Sequence, residues 1–297
     1  MLTVSQMRQL LADAGLAPHK RLGQSFLIDG NLMQRLVDTA ELTESDTVLE
    51  VGPATGSLTE ELLARAGRVV AVEIDRGLAR VLTDRLGGDP RLTILTGDVL
   101  AGKHAISPDV LAAVGAEAVL VSNLPYNIAT PLIVECLVNS WRAVHGCEGS
   151  CRFGRLVFTV QAEVADRIAA APGGSDYGPV SVVTSLLGDV SLGLAVPPSA
   201  FWPKPKVNSR IVRIDFDAPA AEQVSDLPVL QALLALAFGQ RRKQIGSIFR
   251  KGGRGLEPEG LTEALAYANV PPDTRPQRIT PRQFAQMARY LAQRPTE

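Results

Sequence analysis

The sequence predicts an α/β protein: a doubly wound, mostly parallel sheet followed by a small all-helical C-terminal domain. Three observations carry this. Short apolar runs alternate with amphipathic stretches from Thr47 to Phe216. The stretch 217–228 is rich in Ala and Pro and has no periodicity, as a linker would be. Beyond it the patterns are helical only. With 297 residues the chain has room for one large or two ordinary domains.

Helical patterns cover 2–15 and 28–40. "TVLEVG" (47–52) then reads as a strand ending in glycine, and "SLTEELLARA" (57–66) as a helix. "RVVAVEID" (68–75) is the second strand and "GLARVLTDRLG" (77–87) the next helix. "LTILTGD" (92–98) and "EAVLVSN" (117–123) are the third and fourth strands, and "TPLIVECLVNSW" (130–141) is the helix after them. "RLVFTVQ" (155–161) is the fifth strand, "AEVADRIAA" a helix, and 180–196 and 209–216 close the strand set. Three helices follow the linker, in "LPVLQALLALAFGQRRKQIGSIFR", "GLTEALAYANV" and "TPRQFAQMARYLAQ". Thr280-Pro281 supplies an N-cap with proline at the first helical position. The expected domains are therefore 1–217 and 229–297, joined by the linker 218–228, with 1–45 completing the site of the first.

Composition excludes several classes. At 46% hydrophobic and 21% charged the chain is globular. The N-terminal apolar run is too short for a signal peptide and Asp13 interrupts it, so a cytoplasmic protein is expected. Three cysteines, Cys136, Cys147 and Cys151, do not make a disulfide framework. Cys147 and Cys151 have no second cysteine pair, so no metal is expected. The net charge is −1, yet basic residues cluster at 19–21, 204–206, 240–244 and 250–254.

In an open parallel sheet, ligands bind at the carboxyl ends of the strands. Here successive strands end near Gly52, Glu73, Asp98 and Asn123. Gly52 and Gly56 let backbone approach a ligand. "GPATG" is neither a dinucleotide fingerprint nor a phosphate loop, so a triphosphate or a nicotinamide is disfavoured. Glu73 suits ribose hydroxyls and Asp98 an adenine amine. Four such strand ends describe a pocket for an adenosine without phosphates, and S-adenosylmethionine is the cofactor this suggests.

The stretch "NLPY" then acquires a chemical purpose. The side-chain oxygen of Asn123 and the main-chain carbonyl of Leu124 are acceptors for the two hydrogens of an exocyclic amine. Pro125 fixes the turn and Tyr126 offers a face for a base. The enzyme's contribution is then alignment and electrostatics. A base within a helix must first be flipped out. Phe201 or Trp202 is the expected second stacking face. Lys20, Arg21, Lys204, Lys206, Arg210, Arg241, Arg242 and Lys243 are the expected RNA contacts.

On these motifs the chain resembles the KsgA-type (RsmA) rRNA adenine N6,N6-dimethyltransferases, whose catalytic domain is a Rossmann-like S-adenosylmethionine-dependent methyltransferase sheet. "HKRLGQSFLID", "LEVGPATGSLT", "VEID", "GDVL", "NLPYNIATPL", "VQAEVADRI", "YGPVSVV", "FWPKPKVNS" and "AFGQRRKQI" occur in the family's order and spacing. The resemblance implies cofactor contacts at Ser25, Leu27, Gly52, Glu73, Asp98 and Asn123. It implies dimethylation of two adjacent adenines in the 3'-terminal hairpin loop of 16S rRNA, within the assembling small subunit. It also implies a helical domain that helps dock the ribosomal particle, and a monomeric enzyme is expected. Two positions depart from the pattern: Ser25, usually Asn or His, and Ala54, where glycine is common. Both lead to an expectation of weaker cofactor binding. The competing readings are a large-subunit rRNA dimethyltransferase and a non-catalytic RNA-binding factor of the same fold.

Overall fold

The structure, a computed structural model, describes residues 2–18, 23–102 and 105–294. It divides into two compact units, one of Met1–Ala165 with Val190–Phe216, the other of Asp166–Asp189 with Asp217–Glu297.

The first unit begins with α1 (Val4–Asp13), β1 (Phe26–Leu27) and α2 (Gly30–Ala40). Strands and helices then alternate through β2 (Thr47–Val51), α3 (Ser57–Leu63), β3 (Arg68–Glu73), α4 (Arg76–Leu86), β4 (Leu92–Thr96), α5 (Pro108–Val114), β5 (Glu117–Asn123), α6 (Ala129–Val144) and β6 (Arg152–Gln161). After α7 (Ala162–Ile168) and α8 (Pro179–Leu187) come β7 (Gly188–Val196), β8 (Phe201–Trp202) and β9 (Ser209–Phe216). Among the described residues, seven strands form one sheet in the order β4-β3-β2-β5-β6-β9-β7. The strands from β4 to β6 run parallel, and β9 returns antiparallel to β6. The chain order reverses between β2 and β5, which is where a doubly wound sheet opens its crevice.

Local chemistry explains the elements. Asp29 and Asp75 each accept two backbone N–H groups at the starts of α2 and α4. Apart from Glu50, the interiors of β2 and β3 are buried Val, Leu and Ala, as expected of a sheet covered on both faces. At the end of α2, Glu41 pairs with Arg213 of β9 at 3.0 Å and Arg155 of β6 at 3.4 Å, anchoring that helix to the sheet.

The expected strand over 180–196 is corrected. Pro179–Leu187 is helical, and only Gly188–Val196 is extended. The run "VSVVTSLL" is rich in β-branched residues, which favour strands. Here Gly178-Pro179 starts a helix whose buried positions include Ser181, Val182, Val183, Thr184 and Leu187. The single helix expected from Leu227 to Arg250 is two, α10 (Leu227–Phe238) and α11 (Ile245–Phe249), after the short α9 (Ala218–Glu222). They are followed by α12 (Pro258–Tyr267) and α13 (Pro281–Ala292).

The segment 166–189 groups with these helices, so the first unit is not the unbroken stretch expected from the linker alone. The reason is packing. Tyr177 is fully buried and donates its hydroxyl to the Ile279 carbonyl at 2.8 Å. Its ring meets Phe238 edge-on at 6.0 Å, and Phe238 meets Phe284 at 5.7 Å. No helix among the described residues is long and apolar enough to cross a membrane.

Candidate active site

Around the switch point the strand ends surround a cleft of about 1030 Å³, counted to its open mouth. The loop after β2, the loop after β3, Asp98 beyond β4, and the turn after β5 all line it. Gly52 has φ +71, and a Cβ there would lie 3.1 Å from Pro125 Cγ. Glycine is thus required twice, for its backbone and for the approach of the proline turn. Ser122 donates its hydroxyl to the Val51 carbonyl at 2.6 Å and ties β5 to β2 below the cleft.

Glu73 ends β3 and is buried. One carboxylate oxygen accepts the Ala54 N–H at 3.1 Å and the other the Asp75 N–H at 3.0 Å. Burial holds its pKa above the usual carboxylate range, against the pull of those N–H donors. Ala54 has φ +54, a left-handed conformation that costs a side-chain-bearing residue roughly 1–2 kcal/mol. The N–H bond to Glu73 accompanies that strain. Asp98 is exposed, lines the cleft, and accepts the Leu100 N–H at 2.9 Å.

Glu50 is a residue that sequence reasoning passed over. Its carboxyl is buried at the base of the cleft, accepts the Thr59 hydroxyl at 2.7 Å, and has its pKa pushed up to about 8, mainly by burial. An acid inside the otherwise apolar β2 was the available signal.

Asn123 ends β5 and is half-buried at the cleft wall. Its Nδ2 donates to the Ser25 carbonyl at 2.9 Å, and its Oδ1 accepts the Thr159 hydroxyl. Leu124 is buried, and Pro125 and Tyr126 line the cleft. The Tyr126 hydroxyl shares a 2.9 Å hydrogen bond with buried Ser209. Burial raises its pKa, and that bond opposes the shift. Ser25 and Leu27 also line the cleft, but the Ser25 hydroxyl donates to the Pro203 carbonyl at 2.8 Å.

Phe201 is a correction. It is 2% exposed, pairs with Leu27 across the short β1–β8 ladder, and packs in the core without lining the cleft. The apolar strand pair holds the ring in the core. Its neighbour Trp202 is half-buried, with the Arg8 guanidinium 5.2 Å from its ring centre.

Lys204 and Lys206 are exposed beyond β8, and Arg210 is half-buried on β9. Arg241 donates to the Ser175 carbonyl, while Arg242 and Lys243 are exposed. Lys20 and Arg21 lie outside the described residues.

A sequence profile described as "Ribosomal RNA adenine dimethylase" matches residues 15–293. The chain belongs to that family. It is 36% identical over 286 residues to "Ribosomal RNA small subunit methyltransferase A" of Moorella thermoacetica, covering 95% of each chain. It is 38% identical over 279 residues to the protein of the same name in Geobacter metallireducens, covering 93% of this chain and 96% of that one. Among solved structures, a dimethyladenosine transferase of Plasmodium falciparum superposes with a TM-score of 0.66 at 22% identity, covering 87% of this chain and 94% of that one. The 23S rRNA methyltransferase ErmE gives 0.59 at 26% identity, covering 90% and 100%.

The cofactor of this family is S-adenosylmethionine, and the residues present suit it. Two buried carboxyls, Glu50 and Glu73, line the cleft, and neither has an ion pair among the described residues. Buried acids without a cation are costly. A ligand that carries a sulfonium and an ammonium would favour their ionised forms. Glu73, Asp98 and the Gly52 loop line the same cleft with carboxylate acceptors and side-chain-free backbone, which a nucleoside could use.

Proposed function

We propose that this enzyme transfers methyl groups to the N6 amines of two adjacent adenines in the 3'-terminal hairpin loop of small-subunit rRNA, and that it does so on the assembling small subunit. The observation that carries this reading is the "NLPY" amide at the wall of an acid-lined cleft, in a chain 36% identical to a small-subunit methyltransferase along its length.

The bound cofactor supplies an electrophilic methyl carbon. The chain supplies alignment. Asn123 Oδ1 and the Leu124 carbonyl accept the hydrogens of the amine and draw its lone pair out of conjugation with the ring. Pro125 keeps both acceptors on one turn. Tyr126, braced by Ser209, stacks on the flipped base. No strong base is required, because the nitrogen becomes acidic once it carries the new methyl. Glu50 and Glu73 remain in the donor's half of the cleft.

Lys204, Lys206 and Arg210 are proposed to meet the backbone near the target. Arg242 and Lys243, with Arg241, are proposed to belong to the RNA-docking face of the helical unit. The monomeric state and the cytoplasm complete the proposal.

The test is label transfer from methyl-labelled cofactor to small ribosomal subunits from cells lacking this protein, read by mass analysis of the 3'-terminal stem-loop. The expected product is two adjacent dimethyladenines. Label on large-subunit rRNA alone, or particle binding without transfer, contradicts the reading. Neutralising Arg241, Arg242 and Lys243 together is expected to weaken particle binding and flatten its salt dependence. An unchanged salt slope removes that cluster from the footprint.

A further inference from the structure

Thr159 lies on β6 directly across the parallel ladder from Asn123. It is fully buried and sits between Phe158 and Val160, which are fully buried too. A valine has the same shape and is equally at home in a strand. A hydroxyl placed there is costly unless it has a partner. Its partner is Asn123 Oδ1.

The carboxamide of an asparagine is nearly symmetric in shape. A half-turn about its last bond exchanges oxygen for nitrogen with almost no change of volume. In one orientation the amide has an acceptor for an incoming amine. In the other it sets donor against donor. Two contacts distinguish them. The Ser25 carbonyl accepts Nδ2–H at 2.9 Å and would repel an oxygen there. The Thr159 hydroxyl donates to Oδ1; after a flip it could only accept from Nδ2, and its own hydrogen would be left in a fully buried place without that acceptor. Oδ1 has two lone pairs, so accepting from Thr159 leaves one available.

We propose that Thr159 is a positioning residue that locks the Asn123 amide with its oxygen presented to the target amine. The proposal rests on the role given to Asn123 above. Thr159 touches neither the methyl donor nor the base, because it acts from behind the amide. Its contribution is therefore to the rate of transfer and not to the binding of either substrate.

The experiment compares wild type, Thr159→Val and Thr159→Ser in single-turnover transfer to unmethylated small subunits, with cofactor and particle affinities measured separately. Thr159→Val is expected to transfer about tenfold more slowly, as loss of one neutral hydrogen bond to a reacting group implies. Both affinities are expected to stay within about twofold, and Thr159→Ser is expected to recover most of the rate. Thr159→Ala, with the same expected loss, replaces the valine variant if that one does not fold. A hydroxyl-free variant at the wild-type rate overturns the proposal, as does a serine variant no faster than it. Absence of transfer by the wild type contradicts the proposed function instead.

Discussion

The two sides of the switch point are built from different chemistry. On the side of β2, β3 and β4, the cleft is lined by acids: Glu50, Glu73 and Asp98. On the side of β5, β6 and β9, the polar groups are neutral, with Asn123 held by Thr159 and Tyr126 held by Ser209. The difference follows from the two reactants. A cationic donor would be held by buried carboxyls that have hydrogen bonds but no ion pair among the described residues. A neutral amine needs an acceptor that does not itself titrate, and an amide remains an acceptor at any working pH. On the function proposed above, the acidic side would govern binding and its pH dependence, and the neutral side would govern transfer.

That division can be broken in four places. The largest effect is expected at Asn123→Ala, where the transfer rate falls at least about 100-fold while cofactor affinity, read by calorimetry, is kept. An equal loss of affinity would place Asn123 on the binding side. Glu73→Ala is expected to weaken cofactor binding about 10- to 100-fold, with a smaller change in the saturated rate, because hydrogen bonds to a charged acceptor are lost. Titration at several cofactor concentrations separates the two quantities.

The third test is a pH profile. Glu50 is raised from 4.5 to about 8 in the folded protein. Charging it in the fold is unfavourable, so unliganded stability declines as pH rises from 4.5 through about 8. A cationic ligand favours the charged carboxyl, so cofactor affinity rises over the same interval and levels off above it. Melting curves and calorimetry at pH 5, 7 and 9 check both slopes, and Glu50→Gln is expected to flatten both. The smallest effect is expected at Ala54→Gly. Relief of the left-handed alanine is partly offset by glycine's larger unfolded-state entropy, leaving a stability gain of no more than about 1 kcal/mol. Thermal melting with and without cofactor measures it, and a loss of stability would show that the methyl group is packed usefully.

Much of the acidic side of the cleft was legible in the sequence, because strand ends at successive βα turns announce themselves through Gly52, Glu73 and Asp98, which line one cleft. The β5 strand and its turn were equally clear, since proline directly after an apolar run leaves little choice. What escaped depends on contacts between distant segments. Thr159 pairs with Asn123, 36 residues away, and Ser209 with Tyr126, 83 away. A threonine inside "LVFTVQ" is an ordinary strand residue until its neighbour strand is known. Phe201 was expected to offer a stacking face, and its pairing with Leu27, 174 residues away, places it in the core. The helix at Pro179–Leu187 was missed because its β-branched run has strand propensity, and its packing in the second unit prevails.

The central claim is a division of labour across one cleft, with the methyl donor among acids and the amine at a locked amide. The measurement that tests it most directly is a crystal structure of this protein with S-adenosylhomocysteine. The expected density shows the ribose hydroxyls on Glu73, the adenine beside Asp98, and Asn123 Oδ1 on Thr159 with its remaining side toward the sulfur. Density for the nucleoside against Tyr126 and Ser209, or Asn123 turned so that Nδ2 meets Thr159, contradicts it.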